Sequence, residues 1–170
     1  MQRCAVFTIV QNEPVFLPLW LRHYGRHFAP ADLYVLDHQS TDGSALEASR
    51  RCGARLVPVF REHSFDHDWL CQTVRLFQAF LLQSYRYVLF AEADEFVVPD
   101  PRAFAGLADF VEALDRPYAR CLGLNVVHWR DREPPLDFKR PLLAQRTRVP
   151  LLGRLQEPAP LQQRVAAKQC

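Results

Sequence analysis

The chain has 170 residues, 49% of them apolar, enough for one domain with a buried core and too many for a disordered chain. A formal net charge of +2 supplies no basic stripe, so nucleic acid is not an expected partner. Most basic residues are arginine, and Lys139 and Lys168 are the only lysines, a bias we read as genome composition.

The five cysteines, Cys4, Cys52, Cys71, Cys121 and Cys170, are odd in number, and none forms a C-x-x-C pair. That argues against a disulfide scaffold and against a zinc ribbon. Cys4, Cys52 and Cys121 stand in or beside apolar stretches, where a free cysteine behaves as a small hydrophobe. The apolar run at residues 4–10 is too short for a signal peptide and lacks a cleavage site, and no run reaches membrane-spanning length. The expectation is a cytoplasmic protein without a transmembrane segment. The apolar stretch at residues 15–20 is compatible with peripheral membrane contact.

In chain order, residues 5–10 read as a strand buried on both faces. Residues 13–28 read as a helix with Phe16, Leu17, Trp20, Leu21 and Tyr24 at helical spacing. Pro14 suits its first turn, whereas Pro18 predicts a kink or a later start. A second buried strand at 33–36 ends on Asp37. The polar turn 38–44 follows, and Ser44 with Glu47 has capping-box spacing for a short helix to about residue 52. Residues 56–60 form a third predicted strand. The clearest helix is 66–84, with Leu70, Val74, Phe77 and Leu81 as its core stripe and Trp69, Thr73, Leu76 and Phe80 beside it. Residues 87–91 form a fourth strand, 104–114 a helix and 120–127 a fifth strand. From about Arg130 repeated prolines break any period, and an irregular segment is expected.

Strands spaced by helices predict an α/β protein with a mostly parallel, doubly wound sheet, whose ligands bind at the carboxyl ends of the strands. Asp37 and Asp94 both stand at such ends. In extended backbone Glu92 and Asp94 would face one spot, with Ala93 toward the core. Oxygen-seeking Mg²⁺ or Mn²⁺ takes one or two carboxylates together with phosphate oxygens, which makes Glu92, Asp94 and Glu95 candidate metal ligands. The alternative is a solvated acidic loop. Asp37 has the geometry to contact a base or ribose, or equally to serve the turn, and Asp42 reads as a helix cap. Asn12 and Glu13 follow the first strand, and Glu13 serves either a nucleotide or the first helix turn. His63 and His67 flank Asp66, but capping by Asp66 accounts for them better than zinc does. His128 and Trp129 are candidates for an acceptor pocket or for closing the core edge. Asp131 and Glu133, with Asp137, are the nearby general-base candidates. No nucleophile elbow, catalytic triad order or Gly-rich phosphate loop is present.

Taken together, Thr8-Ile9-Val10-Gln11-Asn12-Glu13, Leu36-Asp37 with Ser40-Thr41-Asp42-Gly43-Ser44, and the run from Val88 through Glu92-Ala93-Asp94-Glu95 to Phe96 resemble glycosyltransferase family 2-like proteins. They are closest to the subgroup that also resembles family 92. Phe65-Asp66-His67-Asp68-Trp69 and the run from Arg140 to Arg146 add to the likeness, which spans about residues 4–148. The resemblance implies a GT-A (Rossmann-like) fold at residues 1–130, with 131–170 an irregular acceptor-side remnant or tail. It implies a nucleotide-sugar donor, a saccharide, lipid or protein acceptor, and a Mn²⁺ or Mg²⁺ cofactor. Asp37 would contact the nucleotide, Glu92 and Asp94 would sit at the ribose, diphosphate and metal, and inversion would be expected. Two departures stand out: the first acid is Glu92 where the family pattern has Asp, and family members continue well beyond this chain's end. A truncated, non-catalytic nucleotide-binding remnant is therefore the rival expectation. A nucleotidyltransferase is disfavoured, because no Gly- and basic-rich loop follows the first strand.

Overall fold

The computed structural model describes residues 4–60, 66–137, 140 and 142–150. These residues separate into two compact units that divide between Ala119 and Arg120.

The first unit is α/β. Strand β1 (Cys4–Val10) is central, and six of its seven residues are buried, because the sheet covers its edges and helices cover both its faces. Strands β2 (Leu33–Asp37), β3 (Arg55–Pro58) and β4 (Tyr87–Phe90) complete a parallel sheet in the order β3-β2-β1-β4. Side chains alternate across the pleat. Val6 and Val10 pack with Leu33 and Val35 against helix α1 (Phe16–Tyr24), helix α2 (Ser44–Cys52) and Leu107 of helix α4 (Leu107–Glu112). Ala5 and Phe7 pack with Leu36 and Val88 on the opposite face, against Val74 and Leu81 of helix α3 (His67–Leu81). Burial pushes the Cys4 thiol up to about 12, so it packs as a small apolar group.

Local chemistry moved several boundaries. Helix α1 begins at Phe16, not residue 13, and Glu13 Oε1 accepts the Phe16 N–H at 3.0 Å. Pro18 therefore falls in the first turn, where its missing N–H leaves no intrahelical bond unmade. Phe16 lies outside the buried stripe of Leu17, Trp20, Leu21 and Tyr24. The capping box expected of Ser44 and Glu47 does not form. Gly43 turns the chain in the left-handed region (φ 74°) and makes Ser44 the first helical residue, while Glu47 pairs with Arg51. Helix α3 buries Cys71, Val74, Gln78 and Leu81 and leaves Leu76 and Phe80 exposed, a rotation of the expected stripe. An apolar groove of about 280 Å³ runs between α3 and the sheet, lined by Leu36, Val59, Thr73, Leu76, Phe77 and Phe80.

The second unit is a small antiparallel pair, β5 (Leu124–Val127) with β6 (Thr147–Pro150). The expected fifth strand is thus shorter and joins no parallel sheet, its edge being satisfied by a partner from the segment expected to be irregular. No helix of the described residues is long and apolar enough to cross a membrane.

Candidate functional site

Because β1 lies between β2 and β4 and all three run parallel, the residues that follow them collect on one rim. The chain leaves β1 for β2 on one side and later returns to pair β4 on the other, so the carboxyl ends of β1 and β4 form the topological switch point. Strands lie about 4.8 Å apart, so β2 and β4 flank β1 with roughly 10 Å between their axes, and β4 ends opposite Phe7 whereas β2 ends opposite Val10. Asp37 ends β2, Asn12 and Glu13 follow β1, and Glu92, Asp94 and Glu95 follow β4.

The loops after β1 and β2 are stitched together. Asn12, itself left-handed (φ 53°), donates its N–H to Ser40 Oγ at 3.0 Å. Its Oδ1 accepts the Thr41 and Asp42 N–H groups at 2.8 and 3.3 Å. Asp37, half-buried, accepts the Ser40 N–H through Oδ1 at 3.0 Å, and His38 N–H donates to Val10 O at 2.8 Å. Asp42, in the turn before α2, accepts from the Ser44 hydroxyl and N–H, which hold its carboxyl below the usual range. The His38 ring is buried against Trp69 at 4.7 Å between centroids. Asp66 caps α3 by accepting the Asp68 and Trp69 N–H groups at 2.9 and 3.2 Å. The zinc alternative gains nothing at His67, and His63 lies outside the described residues.

The acidic segment after β4 is a reverse turn, not extended backbone. Glu95 N–H donates to Glu92 O at 2.9 Å, and Glu92 N–H lies 3.4 Å from Glu95 Oε2. The expected same-side projection of Glu92 and Asp94 from a pleat is therefore corrected: the chain reverses through Ala93 and Asp94 once β4 ends at Phe90. Ala93 packs against the core beside α1, while Glu92 and Asp94 are exposed. Among the described residues no group of three His, Cys, Asp or Glu converges as metal ligands. Glu95 is drawn back toward its own turn. The donor set therefore fits a divalent cation only as a partial site, with one or two carboxylates and the remaining positions left for phosphate oxygens and water.

Two neighbouring residues of α1, Tyr24 of the expected core stripe and His23 beside it, hold this turn. Tyr24 Oη donates to Glu95 O at 3.1 Å and accepts the Val97 N–H at 3.0 Å, and His23 Nε2 donates to Val97 O at 3.0 Å. Burial keeps the His23 pKa below its ordinary value, which favours the neutral ring. The overlooked signal was polar: a tyrosine in a buried stripe needs a partner for its hydroxyl.

In the second unit Glu133 is a clamp. Its Oε1 accepts the Thr147 N–H and hydroxyl at 2.8 and 2.7 Å, and its Oε2 accepts the Trp129 N–H at 3.0 Å. The Thr147 hydroxyl holds its carboxyl below the usual range. Trp129 is exposed with the Arg132 guanidinium over its ring, and His128 Nε2 lies 3.4 Å from Glu133 O. Asp131 is exposed in the turn between them.

No protein-family model matches the sequence, and no curated protein matches it significantly.

Proposed function

We propose that the rim formed by β1, β2 and β4 is the donor site of a glycosyltransferase with a GT-A-like sheet, which takes a nucleoside diphosphate sugar. The observation that carries this reading is the gathering of Asn12, Asp37 and the 92–95 turn at one switch point of a parallel sheet. On this reading the Asn12 and Asp37 loops receive the nucleoside, and the acidic turn lies at the diphosphate. A divalent ion bound by Asp94 or Glu92 and by phosphate oxygens would neutralise the leaving group. The acceptor hydroxyl attacks the anomeric carbon as the bond to the diphosphate breaks, and its proton passes to a carboxylate. Glu133 is occupied by Thr147 and Trp129, which disfavours it as that base.

Thermal unfolding with Mn²⁺ and UDP, GDP or dTDP tests the site. At a hundredfold excess over Kd, binding adds about 2.7 kcal/mol, a rise in Tm of roughly 5–10 °C for a chain of this size. The rise is expected to need both metal and nucleotide and to vanish in Asp94→Ala. No rise with any of the three nucleotides, or an undiminished rise in the variant, rejects the reading. The clamping of Glu133 favours a second reading, a nucleotide-binding protein without turnover. It predicts the same rise with no donor hydrolysis or sugar transfer.

A further inference from the structure

The Tyr24 ring is completely buried at the C-terminal end of α1, where a phenylalanine would fill the same apolar space. Its hydroxyl nevertheless reaches two backbone groups more than 70 residues away, accepting from Val97 N–H and donating to Glu95 O. The adjacent His23 bonds Val97 O, and its ring meets Phe96 edge-on at 5.3 Å. Residues 95, 96 and 97 are thus held by two neighbouring side chains, Val97 by both. Within the turn itself the main chain closes through the bond from Glu95 N–H to Glu92 O. A short turn with exposed residues gains order from ties to a buried helix.

We infer that Tyr24 is a positioning residue. Its hydroxyl fixes the backbone just after the 92–95 turn and so sets the direction in which the Asp94 and Glu92 carboxylates meet a bound diphosphate. This rests on the reading of that turn as the diphosphate end of the donor site. The physical gain is pre-organisation: a turn already ordered in the free protein loses less freedom when its ligand arrives. Tyr24 acts on the site through the main chain of Glu95 and Val97, not by contact with substrate.

The test is Tyr24→Phe, read in two ways. Amide exchange at Val97 in the ligand-free protein is expected to quicken at least tenfold, because that N–H loses its acceptor. The affinity for Mn²⁺ with UDP, GDP or dTDP, whichever the wild type binds, is expected to fall about tenfold. Tyr34→Phe is the control, since that hydroxyl bonds Tyr85 at 3.0 Å near the start of β2, and there the affinity stays at the wild-type value. An affinity unchanged in Tyr24→Phe, or lowered equally in Tyr34→Phe, overturns the inference and leaves the donor site standing. A wild type that binds none of the three nucleotides removes the donor site, and the inference goes with it. If Tyr24→Phe unfolds, His23→Leu removes the neighbouring tie; a roughly threefold loss is expected there, and an unchanged affinity again overturns the inference.

Discussion

Asn12 and Thr41 are 29 residues apart and joined by a hydrogen bond of 2.8 Å, from the Thr41 N–H to Asn12 Oδ1. The same oxygen also accepts from Asp42 N–H, and the Asn12 N–H is taken by Ser40 Oγ, so one side chain closes the gap between the loops after β1 and β2. An asparagine suits this place twice over, because it tolerates a φ of 53° and its short amide mimics a backbone acceptor.

That double role makes the position separable by mutation. Asn12→Ala loses both the acceptor and the left-handed tolerance and is expected to cost about 2 kcal/mol. Asn12→Gly loses the acceptor alone and is expected to cost about half as much. Urea unfolding of both variants measures the difference. Equal losses would show that the backbone conformation contributes nothing.

His23 predicts an acid-sensitive stability. Its folded pKa lies below its ordinary value because burial disfavours the charged ring, so the unfolded chain binds the proton more readily. Stability is therefore whole above the unfolded value and falls as pH drops through the window between the unfolded and the folded pKa. One such group contributes a slope of at most about 1.4 kcal/mol per pH unit. The stability of the wild type and of His23→Gln, followed from pH 7.5 to 4.5, should diverge in slope below the ordinary histidine range. Parallel curves would remove His23 as the cause.

Glu133 is expected to matter to the hairpin more than to proton transfer. In Glu133→Gln the amide cannot accept at both positions as the carboxylate does, and exchange of the Thr147 amide should quicken several-fold. If a transferase activity is found, the acidic limb of its pH profile, where a carboxylate base becomes protonated, should survive this change. Loss of that limb with unchanged Thr147 exchange would restore Glu133 as the base.

Much of the first unit was legible in the sequence, for reasons tied to particular residues. The run Cys4–Val10 carries no polar break except Thr8, and only a strand covered on both faces accommodates it. The helical stripe of Leu17, Trp20, Leu21 and Tyr24 repeats at the helical period and is buried as that period requires. Asp66 as a cap and Asp42 as a turn residue follow from side-chain chemistry that acts within two or three residues. Other features depended on partners that local pattern does not encode. The segment at 120–127 has strand composition, but which strand it joins depends on a segment some twenty residues onward, in which prolines mask the periodic signal.

The sequence by itself determined that alternating strands and helices would carry Asn12, Asp37 and Asp94 at strand ends, because hydrophobic periodicity is a local property of the chain. Only the tertiary structure decided that β1 lies between β2 and β4, that the acidic segment closes into a turn, and that Tyr24 and His23 hold it. Those outcomes depend on which donors and acceptors, far apart in sequence, are left to satisfy one another once the core has excluded water.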